Sequence, residues 1–139
     1  MSAKLLHIKD RDRQHMGIIT SLADFTWVEG ETTDAKSIAN NPNISLYCLD
    51  DKRQEAIFAV LPEDIDLSHV PFVYQAQFDH AEYLIAVPYS TFLQLADDMT
   101  VDASRLVCIH NIGRCGSTLL SQAFNEVDDV VALSEPDVF

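Results

Sequence analysis

A chain of 139 residues with 47% hydrophobic and 9% aromatic side chains has the length and composition of one globular domain, or slightly more, and is too apolar to be a disordered tail. Nine basic against twenty-two acidic residues leave a net charge of −13, which argues against nucleic acid and anionic membrane surfaces as general partners. No apolar run approaches a membrane span and the charged start through Arg13 is not a secretory signal, while an odd count of cysteines (Cys48, Cys108, Cys115) without a C-x-x-C pair suits free thiols in a reducing, cytoplasmic setting.

In chain order, Ile18, Ile19, Leu22 and Phe25 recur at helical spacing and predict a short helix within residues 14–25. Residues 29–43 read as a polar link with one brief helical turn around 35–38. The apolar runs 44–49 and 56–61 flank Asp50-Asp51-Lys52-Arg53-Gln54 and predict a hairpin with a charged tip, ended by Pro62. An acidic loop with Glu63, Asp64 and Asp66 follows. Phe72, Tyr74, Ala76 and Phe78 alternate with Val73, Gln75 and Gln77 and predict a strand over 72–78, with another over 83–87. Pro88 suits the first position of a helix whose apolar face is Tyr89, Phe92, Leu93 and Ala96 and which Asp97-Asp98 ends. Residues 1–104 are therefore expected to form a small α+β module, with a boundary at 100–104.

The remaining segment, 105–139, is expected to be α/β. Leu106-Val107-Cys108-Ile109 and Val130-Val131-Ala132-Leu133 read as buried strands of a parallel sheet. Between them Leu119, Leu120, Ala123, Phe124 and Val127 share one face of a helix of about three turns. The turn into that helix is Gly113-Arg114-Cys115-Gly116-Ser117-Thr118. Its composition suits an anion: the first N–H groups of a helix lack partners within it and the dipole adds partial positive charge. Glycines let the backbone approach closely, Ser117 and Thr118 supply hydroxyls, and Arg114 brings a planar cation. Gly116 is followed by serine and the turn holds no lysine, so the nucleoside-triphosphatase pattern G-x-x-x-x-G-K-[ST] is not met.

The turn resembles the 5′-phosphosulfate-binding loop of the sulfotransferase family, written R/K-S-G-T/S-T-x-L. Arg114, Gly116, Ser117, Thr118 and Leu120 match; Cys115 replaces the usual serine and Gly113 stands where proline is frequent. The resemblance implies the first βαβ unit of a P-loop-like parallel sheet. It implies 3′-phosphoadenosine-5′-phosphosulfate as a small-molecule nucleotide donor, held at Arg114, Cys115, Gly116, Ser117 and Thr118, and sulfuryl transfer to a hydroxyl or amine without a metal. Many members end the next strand in an acidic residue, and Glu135 in Ser134-Glu135-Pro136 stands at about that spacing as the candidate general base. The family's 3′-phosphate site and later helices would lie beyond Phe139, so residues 105–139 are expected to be the start of a longer domain and the chain alone to be inactive.

Other chemistries have smaller footholds. Cys108 and Arg114 have the C-x-x-x-x-x-R spacing of cysteine phosphatases, but Asn111 stands where that loop needs glycine and no histidine precedes the cysteine. The five histidines show no metal-ligand spacing, and His110 alone sits beside the loop. Cys115 at a helix start is either a reactive thiol or a small substitute for serine. A non-catalytic phosphate- or nucleotide-binding module that keeps the loop for interaction is the alternative to an enzyme.

Overall fold

The structure, a computed structural model, describes residues 1–13, 19–39, 41–99, 102–110 and 115–136. Its centre is one five-stranded sheet built from β1 (Ser2–Arg11), β2 (Phe25–Asp34), β3 (Ile44–Asp50), β4 (Glu55–Val60) and β5 (Tyr83–Pro88), in the order β2-β1-β5-β4-β3. Every pairing is antiparallel. Among the described residues three helices accompany it, α1 (Val73–His80), α2 (Tyr89–Asp98) and α3 (Ser117–Asn125), with 3-10 turns at Leu22–Asp24, Ala35–Ser37 and Ala103–Arg105.

This architecture replaces the expected parallel βαβ unit. Residues 106–109 and 130–133 form no strand, and Leu106, Val107 and Val131 are 69%, 77% and 77% exposed. A continuous apolar run marks a strand covered on both faces, and it does not say whether its neighbours run parallel. Here the runs covered on both faces are those of β4 and β5. Ile57, Ala59, Leu84 and Ala86 face one core, while Ala56, Phe58, Ile85 and Val87 face the other. With β1 beside β5 and β3 beside β4, the central positions are filled, and the two later runs join no strand of the sheet.

The first core is closed by Leu22 and Phe25 from the 3-10 turn and the start of β2, with α1 beside them. The Phe25 ring meets Tyr47 edge-on at 5.3 Å and Phe78 at 5.5 Å. The second is closed by α2, whose Leu95 is buried and whose Phe92 ring lies 5.9 Å from Phe58. The hairpin, the strand near 83–87 and the helix after Pro88 stand close to their expected bounds. Two other expectations do not hold. Residues 72–78 are helical because Val73, Ala76 and Gln77, at offsets of three and four, are the buried positions. Gln77 Nε2 then reaches Ser45 Oγ at 2.8 Å and the Leu46 carbonyl at 2.9 Å, fastening α1 to the edge strand β3.

Likewise Phe25–Asp34, read as a helix end and a polar link, is the strand β2, and its polar residues suit a sheet edge. Its partner β1 faces them: Lys4 pairs with Glu29, and His7 Nε2 lies 3.5 Å from the Glu31 carboxylate. The hydrogen bond from Lys4 is the main reason the Glu29 carboxyl sits below its ordinary range. Of the helix expected within 14–25, residues 14–18 lie outside the described residues and Leu22–Asp24 is a single 3-10 turn.

That turn carries a polar link into the first core. Ser21 and Asp24 form a reciprocal capping box, and Asp24 Oδ2 also accepts from the buried Tyr47 hydroxyl at 2.6 Å. Burial, and then Asp24, pushes the Tyr47 phenol well above its ordinary value. The folded state thus keeps a proton that the unfolded chain releases near pH ~10, so this contribution is present below that range and lost as pH rises into strong alkali. Tyr47→Phe removes one donor from a buried carboxylate and is expected to cost about 1–3 kcal/mol of stability at neutral pH, read from urea unfolding. Equal midpoints for the two proteins would mean that Asp24 does not depend on this bond.

Candidate functional site

The α3 end of the chain is where the sequence places its chemistry. Gly116 stands at the helix entrance with φ of 87°, in the left-handed region that favours glycine, and the Leu120 N–H makes the first helical bond back to its carbonyl at 3.1 Å. Among the described residues no side chain caps this end. The N–H groups of Ser117, Thr118 and Leu119 therefore precede the first helical bond and are directed out of the helix start. A Cβ at Gly116 would meet nothing within 4 Å among the described residues, so it is the backbone conformation that favours glycine here.

Ser117 and Thr118 are half-buried and Cys115 is exposed. The Thr118 carbonyl accepts from Ser121 Oγ at 2.9 Å within the helix. The Ser117 and Thr118 hydroxyls stand beside the N–H groups of the helix start, a set of donors of the type that anions accept from. Gly113 and Arg114 lie outside the described residues, as does Asn111 of the alternative phosphatase loop. Cys108 and His110 are exposed and belong to no strand.

Glu135 does not end a strand of a parallel sheet, which corrects the positional argument for it. It follows the buried Ser134, has φ of 50° and projects from the surface. The Ser134 carbonyl accepts from the Val73 N–H at 2.9 Å, so the residue before Glu135 is bonded to the first residue of α1. A non-glycine residue held at positive φ is backbone strain fixed by its surroundings, here by Ser134 on one side and Pro136 on the other.

Two features have no local signature. Asn125, at the last position of α3, bonds to Ser68 and Ala132, a contact between distant segments that no local pattern encodes. An open groove of about 480 Å³ lies between β2 and the β3–β4 hairpin, with Leu22, Phe25, Trp27 and Leu49 among its walls and Asp50 and Lys52 at its rim. Arg53 lies over the Trp27 ring at 5.1 Å, so one aromatic face there is already occupied. The clustering of Trp27 with a charged hairpin tip becomes visible only once the strands are placed.

The three cysteines are free thiols. Burial pushes the Cys48 thiol up to about 12, while Cys108 and Cys115 are exposed. Among the described residues no three His, Cys, Asp or Glu side chains come together as a metal-holding group, and no helix is long and apolar enough to cross a membrane. Comparison with family models, curated proteins and solved structures finds no match.

Proposed function

We propose that the turn 113–118 binds the 5′-phosphate end of 3′-phosphoadenosine-5′-phosphosulfate and that the chain serves sulfuryl transfer from this donor to a hydroxyl or amine. The observation that carries the reading is Gly116 in the left-handed region at the start of a helix that no side chain caps among the described residues, with Ser117 and Thr118 in its first turn. Arg114 precedes them in sequence. Such a start offers backbone and hydroxyl donors to the phosphate oxygens, and the arginine adds a charge-assisted bond. In the reaction the acceptor oxygen or nitrogen forms a bond to sulfur as the bond from sulfur to the bridging phosphate oxygen breaks. Adenosine 3′,5′-bisphosphate leaves, and Glu135 takes the acceptor proton. In a chain of net charge −13 the local cation matters more, because the overall field repels the donor.

Calorimetry with adenosine 3′,5′-bisphosphate tests the loop. Arg114→Ala is expected to weaken binding about ten- to a hundredfold, the loss typical of one charge-assisted contact. Equal affinity for both proteins would remove the loop from the donor site.

A second reading, a non-catalytic phosphate- or nucleotide-binding or interaction module, is favoured by the apolar residues left open around the loop: Leu106, Val107, Leu119 and Val131 are all exposed. Consumption of donor with any member of a panel of hydroxyl and amine acceptors would rule this reading out.

A further inference from the structure

None of the residues of α3 is buried, and Leu119, Leu120 and Phe124 are exposed, so this helix contributes no side chain to either core. A polar contact ties it to the rest of the molecule. Asn125 Nδ2 donates to the Ser68 carbonyl at 2.5 Å and to the Ala132 carbonyl at 3.0 Å, and Asn125 Oδ1 accepts from the Ala132 N–H at 2.6 Å. Both amide protons are used and the oxygen is matched to a donor, so these partners fix the orientation of the amide: turned over, its NH₂ would face an N–H and its oxygen two carbonyls. Two residues beyond Ala132, the Ser134 carbonyl accepts from the Val73 N–H at the start of α1, an end that has no side-chain cap. One side chain thus ties α3 to the turn at Ser68 and to the segment that leads into Glu135.

We propose that Asn125 is a positioning residue for the donor site, setting α3, and with it the turn at 115–118, on the sheet-containing module. This rests on the reading that the turn binds the donor. This is not a generic helix-end role, because neither of the residues Asn125 touches belongs to α3 and both are reached through backbone groups.

The test uses the full chain and two readouts, amide hydrogen exchange without ligand and affinity for adenosine 3′,5′-bisphosphate. Asn125→Ala is expected to speed exchange at Ala132 and Val73 by about tenfold or more while leaving Ile57 and Leu84 in the sheet unchanged. It is also expected to weaken the ligand about fivefold or more. Asn125→Asp keeps an acceptor for the Ala132 N–H but turns an oxygen toward two carbonyls, so it should be at least as damaging as alanine. Faster exchange with unchanged affinity would make Asn125 purely structural and overturn the proposal while leaving the loop assignment in place. Faster exchange in a chain whose wild type binds no bisphosphate would defeat the donor reading, and the positioning role with it, while leaving the bonds to Ser68 and Ala132 as a structural fastening. Unchanged exchange would show that the contact does not hold α3 at all.

Discussion

Truncating Ile57 or Leu84 to alanine is expected to cost about 2–5 kcal/mol of unfolding free energy, against a change within about 0.5 kcal/mol for Leu119→Ala. Ile57 and Leu84 are fully buried in the core between the sheet, the Leu22–Asp24 turn and α1, and β4 and β5 occupy central places in the strand order. A cavity there opens where neighbours on several elements cannot collapse to fill it. Leu119 is 71% exposed and has little packing to lose. Urea midpoints at constant denaturant slope measure the contrast. Comparable losses at Leu119 and Leu84 would mean that α3 belongs to the same cooperative core as the sheet.

The second large effect is expected at Glu135. In any preparation that consumes donor, Glu135→Gln should lower turnover about a hundred- to ten-thousandfold and leave donor affinity nearly unchanged, as removal of a general base does. The motive is now local geometry: an exposed carboxylate on a residue at φ of 50°, between buried Ser134 and Pro136, directly after the carbonyl bonded to Val73. Unchanged turnover would leave Glu135 as a solvated surface group and move the search for a base to His110, which is exposed on the other side of the loop in sequence.

What was legible in the sequence follows from how local each signal is. The β3–β4 hairpin is written in two apolar runs around Asp50-Asp51-Lys52-Arg53-Gln54, and α2 is written in Pro88 followed by a helical stripe; both signals are complete within about fifteen residues. The helix after Gly116 is legible for the same reason. Strand direction is not local. Val107 and Ile85 look alike as residues, yet Ile85 is enclosed between β1 and β4 while Val107 is exposed, and only the competition for central places in the sheet separates them. The stretch 72–78 supports two periods at once, alternation through Phe72, Tyr74, Ala76 and Phe78 and helical spacing through Val73, Ala76 and Gln77. The docking of Gln77 on Ser45 and Leu46 accompanies the second. Of the candidate site, the turn proposed to bind the donor stands out by its composition, whereas the fastening of its helix by Asn125 depends on Ser68, 57 residues away in sequence.

The most direct test of the account is a titration of the ¹⁵N-labelled chain with adenosine 3′,5′-bisphosphate, followed at individual backbone amides. Saturable shifts concentrated at Gly116, Ser117 and Thr118, and lost in Arg114→Ala, are the predicted result. Shifts confined to Trp27, Leu49 and their neighbours in the groove, or no saturable shift at Gly116, Ser117 and Thr118, would contradict it.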